Sequence, residues 1–164
     1  MLWALALVAF YLGTCYGLAR WYVGHRTSRL PFTVSGFRNV DVEGTDGPVS
    51  CRVSQNLERI QTVFVLAHGY GGSQHSWQEV STALVERGYG VVVIAMRGHG
   101  DSHFDRVGFG PGESRDLTSV AHWVRAQSPD VTVIGAGISL GAASLWLATE
   151  QAPDAFDAVW SEGA

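Results

Sequence analysis

The stretch VTVIGAGISLG, residues 131–141, combines two features that decide the fold. Its first half is a continuous run of apolar residues, which is typical of a strand buried on both faces of a parallel sheet. Its second half, Gly137-Ile138-Ser139-Leu140-Gly141, holds a serine between two glycines. Glycine at those positions relieves the crowding of a sharp strand-to-helix turn. The stretch therefore predicts a strand, a tight bend and a helix, with Ser139 raised at the bend.

Three other segments have the same uninterrupted apolar character. They are residues 62–67, residues 91–95 and, more loosely, residues 156–160. Helical patterns separate the runs: Ser76-Trp77-Gln78-Glu79 has the form of a capping box, Gly88 is a helix stop, and apolar residues between 117 and 124 recur at helical spacing. Strand and helix therefore alternate, which predicts an α/β fold with a mainly parallel central sheet and helices on both faces.

The segment before these runs predicts an antiparallel hairpin. Residues 39–42 and 49–54 alternate between polar and apolar side chains. Asp46-Gly47 lies between them and is a turn signal. We therefore expect two antiparallel strands to precede the parallel part of the sheet.

Glycine-rich motifs follow the first two buried runs. His68-Gly69-Tyr70-Gly71-Gly72 comes after the first, and Arg97-Gly98-His99-Gly100-Asp101-Ser102 comes after the second. Because the carboxyl ends of parallel strands face one crevice, these motifs and Ser139 are expected to lie together there. In type and order, the three motifs resemble those of the α/β-hydrolase family, and the resemblance extends over residues 39–164.

A further stretch narrows the resemblance. Gly110-Pro111-Gly112-Glu113-Ser114-Arg115-Asp116-Leu117 is similar to the G-x-x-E-x-x-D sequence of the serine aminopeptidase-like and Bem46-like hydrolases, some of which carry an N-terminal membrane anchor. Ala95 departs from the family pattern, because an acidic residue usually stands two positions before the arginine of its R-G-H-G turn. Apart from this position, the chain is similar to the N-terminal part of a membrane-anchored hydrolase.

The resemblance implies roles for seven residues. Ser139 is the expected nucleophile of a serine hydrolase, which cleaves an ester, thioester or peptide bond of a small-molecule or peptide substrate through an acyl-enzyme. The backbone N–H groups of Tyr70 and Leu140 are the expected oxyanion donors. The other four shape the bend and the neighbouring loop: Gly137, Gly141, His68 and Gly69. Neither a cofactor nor a metal ion is implied.

A serine nucleophile also needs a histidine that takes its proton and an acid that orients this histidine. In the α/β-hydrolase order, both follow the nucleophile on later strands. After residues 156–160, only Ser161-Glu162-Gly163-Ala164 remain. We therefore expect a truncated hydrolase domain whose C-terminal strands are missing, nearly inactive alone and active as its full-length parent. His68 and His99 are expected to belong to structural turns.

The N-terminal residues indicate a transmembrane helix. No charged side chain precedes Arg20, and a helix over this stretch would be about 28 Å long, close to the hydrocarbon thickness of a bilayer. A signal peptide is the alternative, but the basic residues that usually begin one are missing. Arg20, Arg26 and Arg29 follow the apolar run, so the positive-inside rule favours a single-pass membrane protein with a cytoplasmic hydrolase domain. Export is the alternative.

The expected organisation is an anchor or uncleaved signal segment at residues 1–23, a linker at 24–38 and a hydrolase domain at 39–164. The formal net charge is −4 and no run of Lys or Arg occurs, so a nucleic-acid partner is not expected. Cys15 and Cys51 have no metal-binding spacing.

Two other functions fit parts of the sequence. Residues 133–139 resemble the opening of a dinucleotide-binding fold, but its G-x-G-x-x-G motif would need glycine at position 140, where Leu140 stands. A membrane-tethered hydrolase fold without a working triad would instead serve as a binding module. An acid and a histidine on later strands would favour the enzyme over the module.

Overall fold

A computed structural model of the protein describes residues 2–24, 30–54 and 57–163. The helices are α1 (Leu2–Gly24), α2 (Gln78–Glu86), α3 (Pro111–Gln127) and α4 (Leu140–Gln151). The strands are β1 (Phe37–Gly44), β2 (Gly47–Ser54), β3 (Thr62–Ala67), β4 (Gly90–Ile94), β5 (Thr132–Ile138) and β6 (Ala158–Glu162). Short 3₁₀ turns cover Leu57–Arg59 and Gln74–Trp77.

The six strands form one sheet in the order β1-β2-β4-β3-β5-β6. β2 is antiparallel to both β1 and β4, whereas β4, β3, β5 and β6 run parallel. The predicted hairpin and the predicted mainly parallel sheet are both confirmed. Because β3 lies between β4 and β5, the loops that leave these three strands begin at the same edge of the sheet.

Helices cover both faces of the sheet, as the alternating pattern predicts. On one face, α3 and α4 bury apolar side chains against alternate residues of the strands: Leu117, Val120, Val124, Leu145, Val65 and Val133. On the other face, the segment of α2 packs with residues of opposite parity: Trp77, Leu84, Leu66, Val91 and Val93. Each fully buried leucine or valine contributes about 2 kcal/mol, so this core holds the strands whose ends form the crevice.

The last strand begins two residues later than the sequence pattern predicts. Residues 156–160 were expected as the strand, but β6 covers Ala158–Glu162. Phe156 is buried in the core from the preceding loop. Asp157 starts the pairing with β5, because its carboxylate accepts a hydrogen bond from the Val133 N–H at 2.7 Å. The apolar character of Phe156 thus reflects loop packing rather than a strand.

The start of α2 also differs from the prediction. The capping box was expected at Ser76 and Glu79, but a 3₁₀ turn over Gln74–Trp77 precedes the helix and Ser73 stands before it. The Ser73 N–H contacts the Ser76 hydroxyl at 3.4 Å. The buried Gln74 amide donates to the Val93 carbonyl at 2.9 Å, which holds the turn against β4. The helical region therefore begins earlier in the sequence than predicted. Gly88, with φ 82°, ends the helix region as predicted.

The N-terminal helix α1 projects its apolar side chains outward. Residues 3–22 are all exposed. By length and composition, Trp3–Tyr22 is the one described helix that could cross a membrane, a test that a signal sequence would also pass. Arg26 and Arg29, on which the expected orientation partly rests, lie outside the described residues, as does part of the expected linker. The cytoplasmic placement of the domain remains a prediction.

Candidate active site

Ser139 lies at the bend between β5 and α4, where the sequence places it. Its backbone has φ 51° and ψ −115°, a conformation that non-glycine residues rarely adopt, and the residue is exposed. The Ser139 N–H donates to the Glu162 carbonyl of β6 at 2.8 Å, and the Ser139 carbonyl accepts from the Ala143 N–H at 2.9 Å. Hydrogen bonds on both sides thus hold this strained bend in place.

Two glycines make room for the bend. A β-carbon on Gly141 would overlap the carbonyl oxygen of Ala67 and lie 2.7 Å from its carbonyl carbon. A β-carbon on Gly137 would lie 2.6 Å from the Gly141 carbonyl carbon. These are backbone contacts, which no side-chain rotation relieves. The first turn of α4 therefore rests directly on the end of β3.

The loop after β3 lies against Ser139. A β-carbon on Gly69 would be 3.3 Å from the Ser139 Cβ, so the two residues are near neighbours. The next residue is Tyr70, and the N–H groups that follow are engaged: Gly71 donates to His99 Nε2 at 3.0 Å and Gly72 to the Gly69 carbonyl at 3.1 Å. Among the residues that the structure describes, the Tyr70 N–H has no hydrogen-bond acceptor.

Leu140 is the first residue of α4, and its side chain is buried. The first four N–H groups of a helix have no acceptor within the helix, so the Leu140 N–H is available to a ligand at the bend. The structure thus brings together the bend and the loop that hold the expected site residues: Ser139, Leu140, Gly137, Gly141, His68, Gly69 and Tyr70.

His68 is a buried part of the loop framework. Its Nδ1 lies 2.9 Å from the Gly69 carbonyl, and its Nε2 accepts from the Met96 N–H at 3.2 Å. Burial lowers the pKa of His68 to about 4, so the ring is neutral at physiological pH. Its two nitrogens connect the loop after β3 to the segment after β4.

His99 makes the reciprocal connection, from the segment after β4 to the loop after β3. Its Nδ1 lies 2.7 Å from the Arg97 carbonyl, and its Nε2 accepts from the Gly71 N–H. Burial lowers the pKa of His99 as well. Because both nitrogens of each ring contact the main chain, neither His68 nor His99 has a free nitrogen that could accept a proton from Ser139.

A charged cluster fixes the loop after β4 to α3. Arg97 forms two hydrogen bonds with Asp116, at 2.6 and 2.7 Å, and a third with Asp46 at 2.8 Å. The Asp116 side chain is almost fully buried, and its hydrogen bonds raise the pKa of Arg97. The Arg97 guanidinium also lies 4.0 Å from the centroid of the Phe104 ring. Sequence reasoning assigned no such role to Arg97 or Asp116.

Glu113 holds the second strained residue of the site. Its fully buried carboxylate accepts hydrogen bonds from the N–H groups of Gly108, at 2.5 Å, and Gly110, at 2.9 Å. Phe109, between these glycines, has φ 51° and is half exposed. The sequence contained a signal for this arrangement, because Pro111 at the first helical position and Glu113 three residues after Gly110 have the spacing of a capping box.

The arrangement suits a ligand that receives hydrogen bonds at one edge of the sheet. An exposed hydroxyl lies at the bend, and two backbone N–H groups lie in the adjoining segments. Among the described residues, no group of three His, Cys, Asp or Glu side chains is placed to hold a metal ion.

Comparison with known proteins gives one family match and several related structures. The family model described as the alpha/beta hydrolase fold matches residues 62–164. The structure of XC6422 from Xanthomonas campestris, described as an a/b serine hydrolase without a lid, is 29% identical, with a TM-score of 0.62 over 80% of this chain and 63% of that chain. No curated protein matches.

Two other solved structures share the fold at lower identity. The Pyrococcus furiosus esterase Pf2001 is 21% identical, with a TM-score of 0.66 over 80% of this chain and 51% of that chain. An epoxide hydrolase from an endophytic Streptomyces is 23% identical, with a TM-score of 0.66 over 78% of this chain and 37% of that chain. The chain thus spans less than two thirds of the length of each of these structures.

Proposed function

The chain belongs to the α/β-hydrolase fold family, and from this premise we propose that it is the nucleophile-bearing part of a serine hydrolase that forms an acyl-enzyme on Ser139. The observation that carries the proposal is the backbone of Ser139, which is exposed at φ 51° on a bend whose flanking glycines touch backbone. Strain of this kind persists only where the surrounding structure enforces it, and it concentrates at functional sites. The description of XC6422 as a serine hydrolase gives further support.

The proposed reaction has two halves. In the first, the Ser139 Oγ attacks the acyl carbonyl carbon while a histidine takes its proton, and the bond to the leaving alcohol, thiol or amine then breaks as the histidine returns the proton to it. In the second, water attacks the acyl-enzyme with the same proton transfers. The acid is released and the Ser139 hydroxyl is restored.

The N–H groups of Tyr70 and Leu140 would stabilise the tetrahedral oxyanion. The Leu140 N–H is unpaired within its helix, and the Tyr70 N–H lies between two residues whose hydrogen bonds fix the loop. A preorganised donor of this kind contributes about 3 kcal/mol to transition-state stabilisation. Because His68 and His99 hold these loops, they contribute to the site through backbone geometry.

The proton acceptor has to be a residue other than His68 or His99, because the ring nitrogens of both contact backbone. By the chain order of the family, we propose that the acid and the histidine follow β6 in the full-length protein. Ester, thioester and peptide substrates all fit the chemistry of Ser139. The Pyrococcus furiosus neighbour is an esterase, which favours an ester as the first substrate to test.

We also propose that α1 anchors the protein as a single-pass helix. Large apolar side chains are exposed on all sides of α1, which is typical of a helix surrounded by lipid rather than one lying on a domain. Retention of the full-length protein in the membrane fraction after alkaline extraction would support the anchor. Release of the protein with α1 intact would contradict it.

Covalent labelling tests the nucleophile. The full-length protein is treated with a fluorophosphonate probe, which reacts with activated serines, and labelling is expected for the wild type and lost in Ser139→Ala. Ser161→Ala is the matched control, because Ser161 pairs with Gly137 on the neighbouring strand and is not a proposed nucleophile. Equal labelling of wild type and Ser139→Ala would contradict the proposal. A wild type that does not react would favour a binding module.

A further inference from the structure

The C-terminal end of α1 touches the loop that carries the proposed oxyanion donor. The rings of Tyr22 and Tyr70 stack with centroids 5.2 Å apart and an interplanar angle of 26°. The Tyr70 hydroxyl donates a hydrogen bond to the Tyr22 carbonyl at 3.1 Å. Tyr70 immediately follows Gly69, which lies against Ser139. The last turns of α1 are therefore connected to the bend through only two residues.

A second aromatic side chain extends this contact along the crevice. Phe109 stacks on Tyr70 with centroids 5.7 Å apart and an angle of 21°. The buried Glu113 carboxylate accepts hydrogen bonds from the residues on both sides of Phe109 and so fixes its strained conformation. Even so, 52% of Phe109 is exposed. A fold that strains its backbone to expose an apolar ring indicates a ligand or surface for that ring. Tyr22, Tyr70 and Phe109 together form the aromatic stack.

The position of Tyr22 on α1 sets the depth of the stack relative to a bilayer. Leu2–Gly24 is 23 residues long, and such a helix spans about 35 Å, enough for the hydrocarbon core. Trp21 and Tyr22 lie at its C-terminal end, where tyrosine and tryptophan side chains prefer the membrane–water interface. With α1 as the proposed membrane span, Tyr22 lies at headgroup level, and its contact with Tyr70 holds the crevice at the same level.

The charge around the stack agrees with a membrane surface. Arg20 on α1 and Arg106 in the loop after β4 line one shallow cleft together with Tyr16 and Ala19. Cationic side chains at this depth are attracted to anionic headgroups, each by about 1 kcal/mol. The cleft therefore lies where α1 meets the loop after β4.

We infer that Ser139 acts on an acyl ester that resides in the bilayer, and that the substrate reaches the bend from the membrane along the aromatic stack. The inference rests on the proposed function of Ser139 and on α1 as a membrane span. An ester with a long acyl chain keeps its carbonyl at the level of the headgroups, which is where the stack places the crevice. The apolar rings then contact the part of the chain that leaves the lipid.

The test compares one substrate held in the membrane with one dissolved in water. Full-length protein is reconstituted in phosphatidylcholine vesicles, and kcat/KM is measured for 4-methylumbelliferyl oleate in the vesicles and for 4-methylumbelliferyl acetate in solution. Tyr22→Leu removes the ring while keeping an apolar helix and the backbone carbonyl that Tyr70 contacts. We expect it to lower kcat/KM for the oleate about five- to tenfold, the effect of losing one aromatic contact, and to leave the acetate value within about twofold.

Tyr11→Leu is the matched control, because Tyr11 is an exposed tyrosine of the same helix three turns before Tyr22. It is expected to change neither value. Equal losses of oleate hydrolysis in Tyr22→Leu and Tyr11→Leu would overturn the inference, as would unchanged oleate hydrolysis in Tyr22→Leu. If Ser139-dependent hydrolysis is seen for acetate but not for oleate, the inference fails while the proposed function stands. If the wild type hydrolyses neither ester, the inference fails, and fluorophosphonate labelling of Ser139 decides separately whether the proposed function stands.

Discussion

The bend between β5 and α4 and the loop between β4 and α3 each hold one exposed non-glycine residue at φ 51°, Ser139 in the bend and Phe109 in the loop. The bend is fixed by close backbone packing, since a β-carbon on Gly141 would overlap Ala67. The loop is fixed by a buried carboxylate, since Glu113 accepts hydrogen bonds on both sides of Phe109. The same backbone strain is thus enforced by two different forces.

This difference predicts that the stability of the two regions responds to different changes. Close packing of backbone atoms does not depend on pH, but it tolerates no added atom. Buried polar groups tolerate small changes of shape, but their contribution depends on charge and on complete hydrogen bonding. We therefore expect variants of the two regions to differ in this way, and the buried histidines of the neighbouring loops to add a pH dependence that backbone packing lacks.

The largest effect is expected from Gly141→Ala. The added β-carbon would force α4 away from the end of β3, so we expect the free energy of unfolding to fall by at least about 3 kcal/mol. Gly36→Ala is the control, because Gly36 has φ 80° but no atom within reach of a β-carbon, so that only its backbone strain, about 1 kcal/mol, is felt. Urea unfolding measures both. Equal losses would show that the bend is not held by packing.

The next effect is a pH dependence of stability. In the unfolded chain the pKa of a histidine is about 6.5, whereas burial holds that of His68 at about 4. Below pH 6.5 the unfolded state therefore binds a proton that the folded state does not bind. The stability that is present above pH 6.5 is lost as the pH falls toward 4. The loss amounts to about 3 kcal/mol, and His99 adds to it in the same direction.

Urea unfolding between pH 4.5 and 7.5 measures this dependence. His68→Gln is expected to reduce the slope, because glutamine keeps an acceptor for the Met96 N–H without a titrating group. His122→Gln is the control, since His122 is an exposed residue of α3. A slope that His68→Gln leaves unchanged would show that His68 is not neutral and buried in the folded protein.

A smaller loss is expected from Glu113→Gln. The amide would place an N–H₂ group against one of the two backbone donors, so we expect a loss of about 2 kcal/mol. Glu79→Gln, at the exposed start of α2, is the control and should change stability by less than about 0.5 kcal/mol. If the two variants unfold alike, the loop is not held by its buried carboxylate.

The smallest effect has the opposite sign. Ser139→Gly should raise the free energy of unfolding by about 0.5 kcal/mol, because relief of the left-handed strain exceeds the added entropy of the unfolded chain. Phe109→Gly relieves the same strain but loses the ring contact with Tyr70, so no gain is expected. Thermal unfolding of the two variants distinguishes them. A loss of stability in Ser139→Gly would contradict strain at the bend.

The sequence was most informative where local sterics decide the structure. The bend at Ser139 was predictable because its glycines and the apolar run before it act within a few residues. The sheet followed from the alternation of runs and helices. The pairing of Arg97 with Asp116 was not predictable, because the two residues are 19 positions apart and meet only through the tertiary fold. The start of β6 was misplaced because Phe156 fills the core from a loop.

The contact between α1 and the crevice shows the same limit. The sequence predicted α1 from its composition and Tyr70 from its motif, but no local pattern relates Tyr22 to Tyr70, 48 residues away. Stacking of this kind depends on how separate elements pack. Only the tertiary structure therefore shows that the C-terminal end of α1 lies close to the bend at Ser139.

The most direct test of the account is an experimental structure of the full-length protein after reaction with a fluorophosphonate. We expect a phosphorus atom bonded to the Ser139 Oγ, with one phosphoryl oxygen about 2.7–3.1 Å from the N–H nitrogens of both Tyr70 and Leu140. An adduct on another residue, or an adduct on Ser139 whose oxygens contact neither N–H group, would contradict it.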